Sequence, residues 1–122
     1  MTRAVAKVYF SLPSSERAIT AIFANSYGQA GAIDFFGPKY GLPQAISGHQ
    51  NYWYWGPRGY TGETVIVLGS DGRGDRQHFA TVETAGRVEH PYSRLDEHFD
   101  IFLCRRLNVN LQTLWPAVKH WN

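Results

Sequence analysis

The sequence predicts a single layered α/β domain, Rossmann-like, with a largely parallel or mixed sheet flanked by helices. Three observations carry that expectation. Short β-branched or apolar runs recur along the chain, segments of helical periodicity stand between them, and glycine-containing loops follow the predicted strands. At 122 residues the chain fits one hydrophobic core, so residues 1–122 are read as one domain.

The elements follow in order. "RAVAKVYFSL" (3–12) sets Val5, Val8, Tyr9 and Leu12 on one face at helical spacing, and Pro13 with Ser14 and Ser15 ends it. "AITAIFA" (18–24) is short and rich in Ile and Phe, which suits a buried strand. "GQAGAIDFF" (28–36) then reads as a helix with Ala30, Ile33 and Phe36 on a common face. Asn25 or Ser26 can cap its start, and Gly37-Pro38 stops it. After the turn "KYGLP", "QAISG" (44–48) reads as a second short strand. "ETVIVLGS" (63–70) is a β-branched strand bounded by Gly62 and Gly69. "DGRGDR" (71–76) reads as a surface turn, "RQHFATVETAG" (76–86) as a helix closed by Gly86, and "RVEHP" (87–91) as a short strand. "FDIFLCRRL" (99–107) is a strand in which Phe99, Ile101 and Leu103 alternate, and it is the candidate antiparallel member of the sheet. "LQTLWPAVKHW" (111–121) is a short helix or turn that packs through Leu111, Leu114 and Trp115.

Composition narrows the function classes. Hydrophobic residues make up 43% and charged residues 18%, within the globular range, so the chain is expected to fold rather than stay disordered. Twelve basic and ten acidic residues are dispersed, without a basic stripe, and no nucleic-acid partner is expected. Apolar runs such as "TVIVLG" fall far short of the ~20 residues that cross a bilayer, and the N-terminus lacks a secretory apolar region, so no membrane span is expected in this chain. Cys104 is the single cysteine, which excludes an internal disulfide and a cysteine-based zinc site.

In α/β sheets ligands gather at the carboxyl ends of strands, and two loops there draw attention. The first, "YGQAGA" with Tyr27 and Gly28, has the ingredients of an anion-binding turn at a helix N-terminus. It lacks both the G-x-G-x-x-G spacing and the Walker lysine, and close helix packing at Gly28 and Gly31 explains the same glycines. The second, "SGHQNYWYWGPRGYTG" (47–62), runs Tyr52, Trp53, Tyr54 and Trp55 together, with His49, Asn51 and Arg58 close by. It reads equally as a sugar-stacking platform, as a docking edge for protein or lipid headgroups, or as core in which alternate rings face inward. The five histidines are dispersed without ligand spacing, so no metal or other cofactor is expected. Asp34, Asp96, Glu97 and Asp100 supply an acid–base pair only if two of them converge on a cleft, for instance Asp34 with Glu97. "GRGD" (72–75) is taken as a solvated turn.

The segments "YGQAGAIDFFGP", "GLPQAISGH" and "NYWYWGPRGYTGE", followed by "RVEHPY", "DIFLCRRL" and "LWPAVKHW", resemble the C-terminal soluble region of bacterial membrane glycosyltransferases of family 39. These are relatives of dolichyl-phosphate-mannose protein mannosyltransferases and aminoarabinose transferases. The resemblance spans nearly the whole chain. It implies an α/β region outside the membrane, attached to a multi-spanning domain that transfers sugar from a polyprenyl-phosphate donor using acidic residues of its own loops. No catalytic residue maps onto this sequence. The implied function is that of a non-catalytic accessory domain whose partner is the membrane domain, a glycan or the polyprenyl-phosphate sugar. Tyr27, His49, Asn51, Trp53, Trp55 and Arg58 match the resembling motifs, and with Gly28 they form the candidate docking or ligand set. As part of such an enzyme the domain is expected on the periplasmic side, and as a free-standing chain in the cytoplasm. The alternative is a small α/β module that binds a sugar or phosphorylated ligand in a pocket joining the Tyr27 and His49 loops.

Overall fold

Thr20–Ala24 and Thr64–Leu68 are almost entirely small or β-branched apolar residues, a composition that suits strands covered on both faces. In the structure, a computed structural model, they form β1 and β2, paired in parallel from Thr20 opposite Thr64 to Ala24 opposite Leu68. It describes residues 2–24, 27–48, 56–69, 73–88 and 99–118, with only the backbone for Tyr27, residues 73–75, Val88, Phe99 and Ala117. β3 (Phe79–Val88) and β4 (Phe99–Leu107) complete a mixed sheet in the order β1-β2-β4-β3, with β4 antiparallel to both neighbours. Ile46 continues the sheet beyond β1: its amide donates to the Ile22 carbonyl and its carbonyl accepts from Ala24, each at 2.9 Å.

One face of the sheet carries Ile22, Ile66, Leu68, Ile101 and Leu103. Against it lie α1 (Thr2–Ser11) and α3 (Tyr27–Phe36), which bury Val5, Val8, Ala30 and Ile33. α2 (Ser14–Arg17) is a single turn between α1 and β1, and α3 runs on into a 3-10 turn, Gly37–Tyr40. The opposite face carries Ala21, Val65, Val67, Phe102 and Cys104 and is covered by α5 (Leu111–Val118) through Leu111 and Trp115. Trp115 meets Phe23 edge to face, with ring centres 6.5 Å apart. α4 (Arg73–His78) leads directly into β3. The result is a helix–sheet–helix sandwich, a single-sheet α/β architecture of the kind expected.

Five local expectations are corrected. Residues 79–86 are strand, not helix. Thr81, Val82 and Thr84 favour the pleated state, and the free edge of β4 gives their backbone a partner, which overrides the short-range helical pattern. Gly86, expected to close a helix, instead lies where the β3–β4 register shifts after Thr84. There α1 comes so near that a Cβ would stand 3.2 Å from Val8 Cγ2. Residues 73–76, read as a turn, are helical. Phe36 does not share the buried face of Ala30 and Ile33 but is 53% exposed. "QAISG" contributes one bridged residue, Ile46, rather than a full strand. β4 alternates as expected at Ile101 and Leu103, yet Phe102 and Cys104 are buried as well, because α5 and its neighbours cover the second face.

Candidate functional site

β1, β2 and the Ile46 segment run in parallel, so their carboxyl ends share one edge of the sheet. The Tyr27–Gly28 turn leaves β1 at that edge, Ser47 and Gly48 leave Ile46 there, and Gly69 leaves β2 there with a φ of 79°. The described starts of the two segments singled out in the sequence, the beginning of α3 and Ser47 with Gly48, therefore lie at the same edge. Asp34 fixes their spacing: its Oδ1 accepts a hydrogen bond from the Ala45 amide at 2.8 Å, tying α3 to the segment that leads to Ile46. This carboxylate, weighed above as an acid or base, is thus engaged in holding two backbone segments together.

Close helix packing does not account for the glycines of α3. Among the described residues, a Cβ built on Gly28 or on Gly31 meets nothing within 4 Å. Of the remaining sequence-predicted site residues, His49, Asn51, Trp53 and Trp55 lie outside the described residues, as do Tyr52, Tyr54 and Glu97. Tyr27 is described as the backbone start of α3.

Arg58 is held away from the Gly28 turn. Its Nε donates to the Ala45 carbonyl at 3.2 Å and its Nη1 to Gln44 Oε1 at 3.0 Å, with the backbone in the left-handed region at φ 52°. With Gly59, Tyr60 and Thr61 it borders a recess of about 310 Å³ beside Ala18 and Ile19, the residues that lead into β1. Arg58 therefore belongs to the amino-terminal side of the parallel strands and Gly28 to the carboxyl side. Within this recess burial, more than the neighbouring Tyr9, pushes the Tyr60 phenol above its ordinary value, while Arg58 opposes the shift.

The amino-terminal edge holds a polar cluster that sequence reasoning missed. Glu16 receives Arg105 through two hydrogen bonds, Nε to Oε2 at 2.8 Å and Nη2 to Oε1 at 3.4 Å. The Thr64 hydroxyl donates to Glu16 Oε2 at 2.9 Å, and Arg105 Nη1 reaches Glu83 Oε1 at 3.0 Å. The hydrogen bond from Arg105 holds the Glu16 carboxyl below its ordinary value, against the opposing effect of burial. The same contact raises the Arg105 guanidinium. Glu16 and Arg105 stand 89 residues apart, and no local spacing signals their meeting. On the second face, a groove of about 310 Å³ lies between α5 and the sheet, walled by Phe23, Val65, Val67, Phe79, Leu114 and Val118, with His78 at its side.

The helical layer ends in exposed aromatic side chains. Phe35 is 78% and Phe36 53% exposed, and their rings meet edge to face at 4.9 Å. Phe10, 48% exposed at the end of α1, stands close to Gly41, whose Cβ would lie 3.3 Å from Phe10 Cζ. Adjacent exposed rings of this kind form a candidate contact surface. Among the described residues no group of three His, Cys, Asp or Glu side chains gathers as a metal site, and no helix is long and apolar enough to cross a membrane. What the described surface offers is contact area at the ends of α1 and α3, with four of the described acids, Glu16, Asp34, Glu83 and Asp100, each held by a partner. Comparison with protein-family models, with curated proteins and with solved structures finds no match to the chain.

Proposed function

We propose that this chain is a non-catalytic accessory domain of a polyprenyl-phosphate-sugar-dependent membrane glycosyltransferase, placed outside the membrane and docked against the membrane-embedded part, its acceptor or glycan. The observation that carries the reading is the exposed Phe35–Phe36 pair, which lies inside "YGQAGAIDFFGP", one of the segments on which the resemblance rests. Two adjacent phenylalanines in water are costly unless a partner covers them, because full burial of one such ring is worth about 1.5–3 kcal/mol. Four of the described carboxylates support a structural rather than a chemical role. Asp34 clamps the Ala45 amide, Glu16 and Glu83 share Arg105, and Asp100 pairs with Arg87 at 3.0 Å.

The test is fractionation of the native source with an antibody raised against the domain. The expected antigen is a membrane-bound product several times heavier than 13.8 kDa, digested by protease added to the outer side of spheroplasts. A soluble cytosolic product of 13.8 kDa would overturn the reading and favour a free-standing module that binds a sugar or phosphorylated ligand at the Tyr27 and His49 loops.

A further inference from the structure

The exposed end of the helical layer carries cations as well as aromatic rings. On α1, Arg3, Lys7 and Phe10 follow at intervals of four and three residues, and all are exposed, so they form one stripe. The Arg17 guanidinium lies over the Phe10 ring at 5.3 Å, and the Lys39 ammonium over Tyr40 at 5.9 Å. Phe10 stands beside Gly41, which closes the 3-10 turn, and that turn continues directly from Phe36. The carboxyl ends of α1 and α3 thus bring Phe10, Phe35, Phe36 and Tyr40 to one region with Arg17 and Lys39. Two acids belong to these helical elements, Glu16 and Asp34. Both are engaged on the sheet side, Glu16 by Arg105 and Thr64 and Asp34 by the Ala45 amide.

We infer that this aromatic and basic end is a seat for the anionic phospholipid headgroups of a bilayer surface. It rests on the docking reading above, since a domain held against a membrane-embedded part also faces the leaflet around it. Rings such as Phe35 and Phe36 enter the boundary between headgroups and acyl chains, while the cations of Arg3, Lys7 and Lys39 stay at the level of the phosphates. Charge complementarity decides for this occupant: the rings are accompanied by cations, and the acids of the same elements are bound on the sheet side. The domain then lies against the leaflet by the ends of α1 and α3, its sheet standing away from the lipid.

The test is sedimentation of the 122-residue chain with vesicles of phosphatidylglycerol mixed equally with phosphatidylcholine, against vesicles of phosphatidylcholine alone. Binding is expected to the anionic vesicles and to weaken as salt is raised. Lys7→Gln with Lys39→Gln should lower the partition by about five-fold for each cation removed. Phe35→Ala with Phe36→Ala should lower it more than roughly ten-fold, with thermal melts unchanged because both rings are already exposed. Equal binding to neutral vesicles, or variants that bind as the parent does, would overturn the inference. A photo-crosslinker placed at Phe35 in native membranes separates the two ideas. Capture of a membrane protein without any vesicle binding removes the lipid seat and leaves the docking reading standing. A soluble native product removes the docking reading whatever the vesicles show.

Discussion

Gly62→Ala is expected to destabilise the domain by about 2–5 kcal/mol, a sum of two separate costs. Gly62 has a φ of 93°, where an L side chain costs about 1–2 kcal/mol. A Cβ there would also lie 2.6 Å from Leu107 Cδ2 and 2.9 Å from Leu107 Cβ, an overlap of the kind that costs about 1–3 kcal/mol. Neither partner can easily retreat, because the Leu107 amide donates to the Gly62 carbonyl at 3.1 Å and the Arg106 amide to Glu63 at 2.9 Å. With an unfolding entropy of about 2.1 cal/mol/K per residue, a chain of 122 residues loses roughly 4 °C of Tm per kcal/mol, or about 8–20 °C here. Differential scanning calorimetry reads that shift. Gly31→Ala is the control: it is helical, meets nothing within 4 Å, and should be neutral or stabilising by up to about 1 kcal/mol. Adding Leu107→Ala to Gly62→Ala should cost less than the sum of the single losses by about 1 kcal/mol, since the overlap with Cδ2 disappears while that with the Cβ remains. A Tm drop for Gly62→Ala no larger than that of Gly31→Ala, or strict additivity with Leu107→Ala, would refute the close approach of the β2 entrance to the end of β4.

Two further outcomes are expected. Glu16 has a carboxyl pKa lowered in the folded state, chiefly by Arg105, so its stabilising contribution is present above its ordinary value of 4.5 and lost as pH falls through the lower folded value. Denaturant melts taken from neutral pH down through the carboxylate range should show a shallower acid decline in Glu16→Gln than in the parent, and identical slopes would remove Glu16 from the acid response. Cys104 is fully buried in β4, so a thiol reagent should label it only after unfolding. Rapid labelling of the native chain would contradict the interior position of β4.

The sheet core was legible where residue type alone decides the outcome. "TVIVL" and the Ile-rich run before it contain too few polar residues for anything but buried strands, and they became β1 and β2. The segment at 79–86 was misread because its short-range pattern is ambiguous and its state is set by β4, which lies later in the chain. Phe36 was placed in the core on helical spacing from Ala30 and Ile33, yet the sheet lies beneath the Ile33 side only, so Phe36 turns outward beside Phe35. Strand order was not legible, so the departure of Gly28 and Gly48 from one edge rests on the pairing of Phe23 with Ile46, which the structure supplies. The separation of Arg58 from Gly28 was not legible either, because it depends on the Gln44–Ala45 anchors that Arg58 finds. The Glu16–Arg105 contact joins residues too far apart in sequence for any periodicity to report.

The strand order has a consequence for how the chain is made. β4 is the last of the described strands in sequence, yet it sits inside the sheet between β2 and β3. A ribosome delivering the chain from its N-terminus therefore presents β2, with Val65, Ile66 and Val67, and later β3, before the strand that joins them exists. Until Phe99–Leu107 emerges, one edge of β2 and the edge of β3 that β4 will cover lack their sheet partner, an arrangement that invites pairing with other chains. A nascent chain arrested before β4 cannot correct this by joining β2 directly to β3 in the native order. Release of β4 closes both sides of the gap together, so the sheet is completed late and in one step.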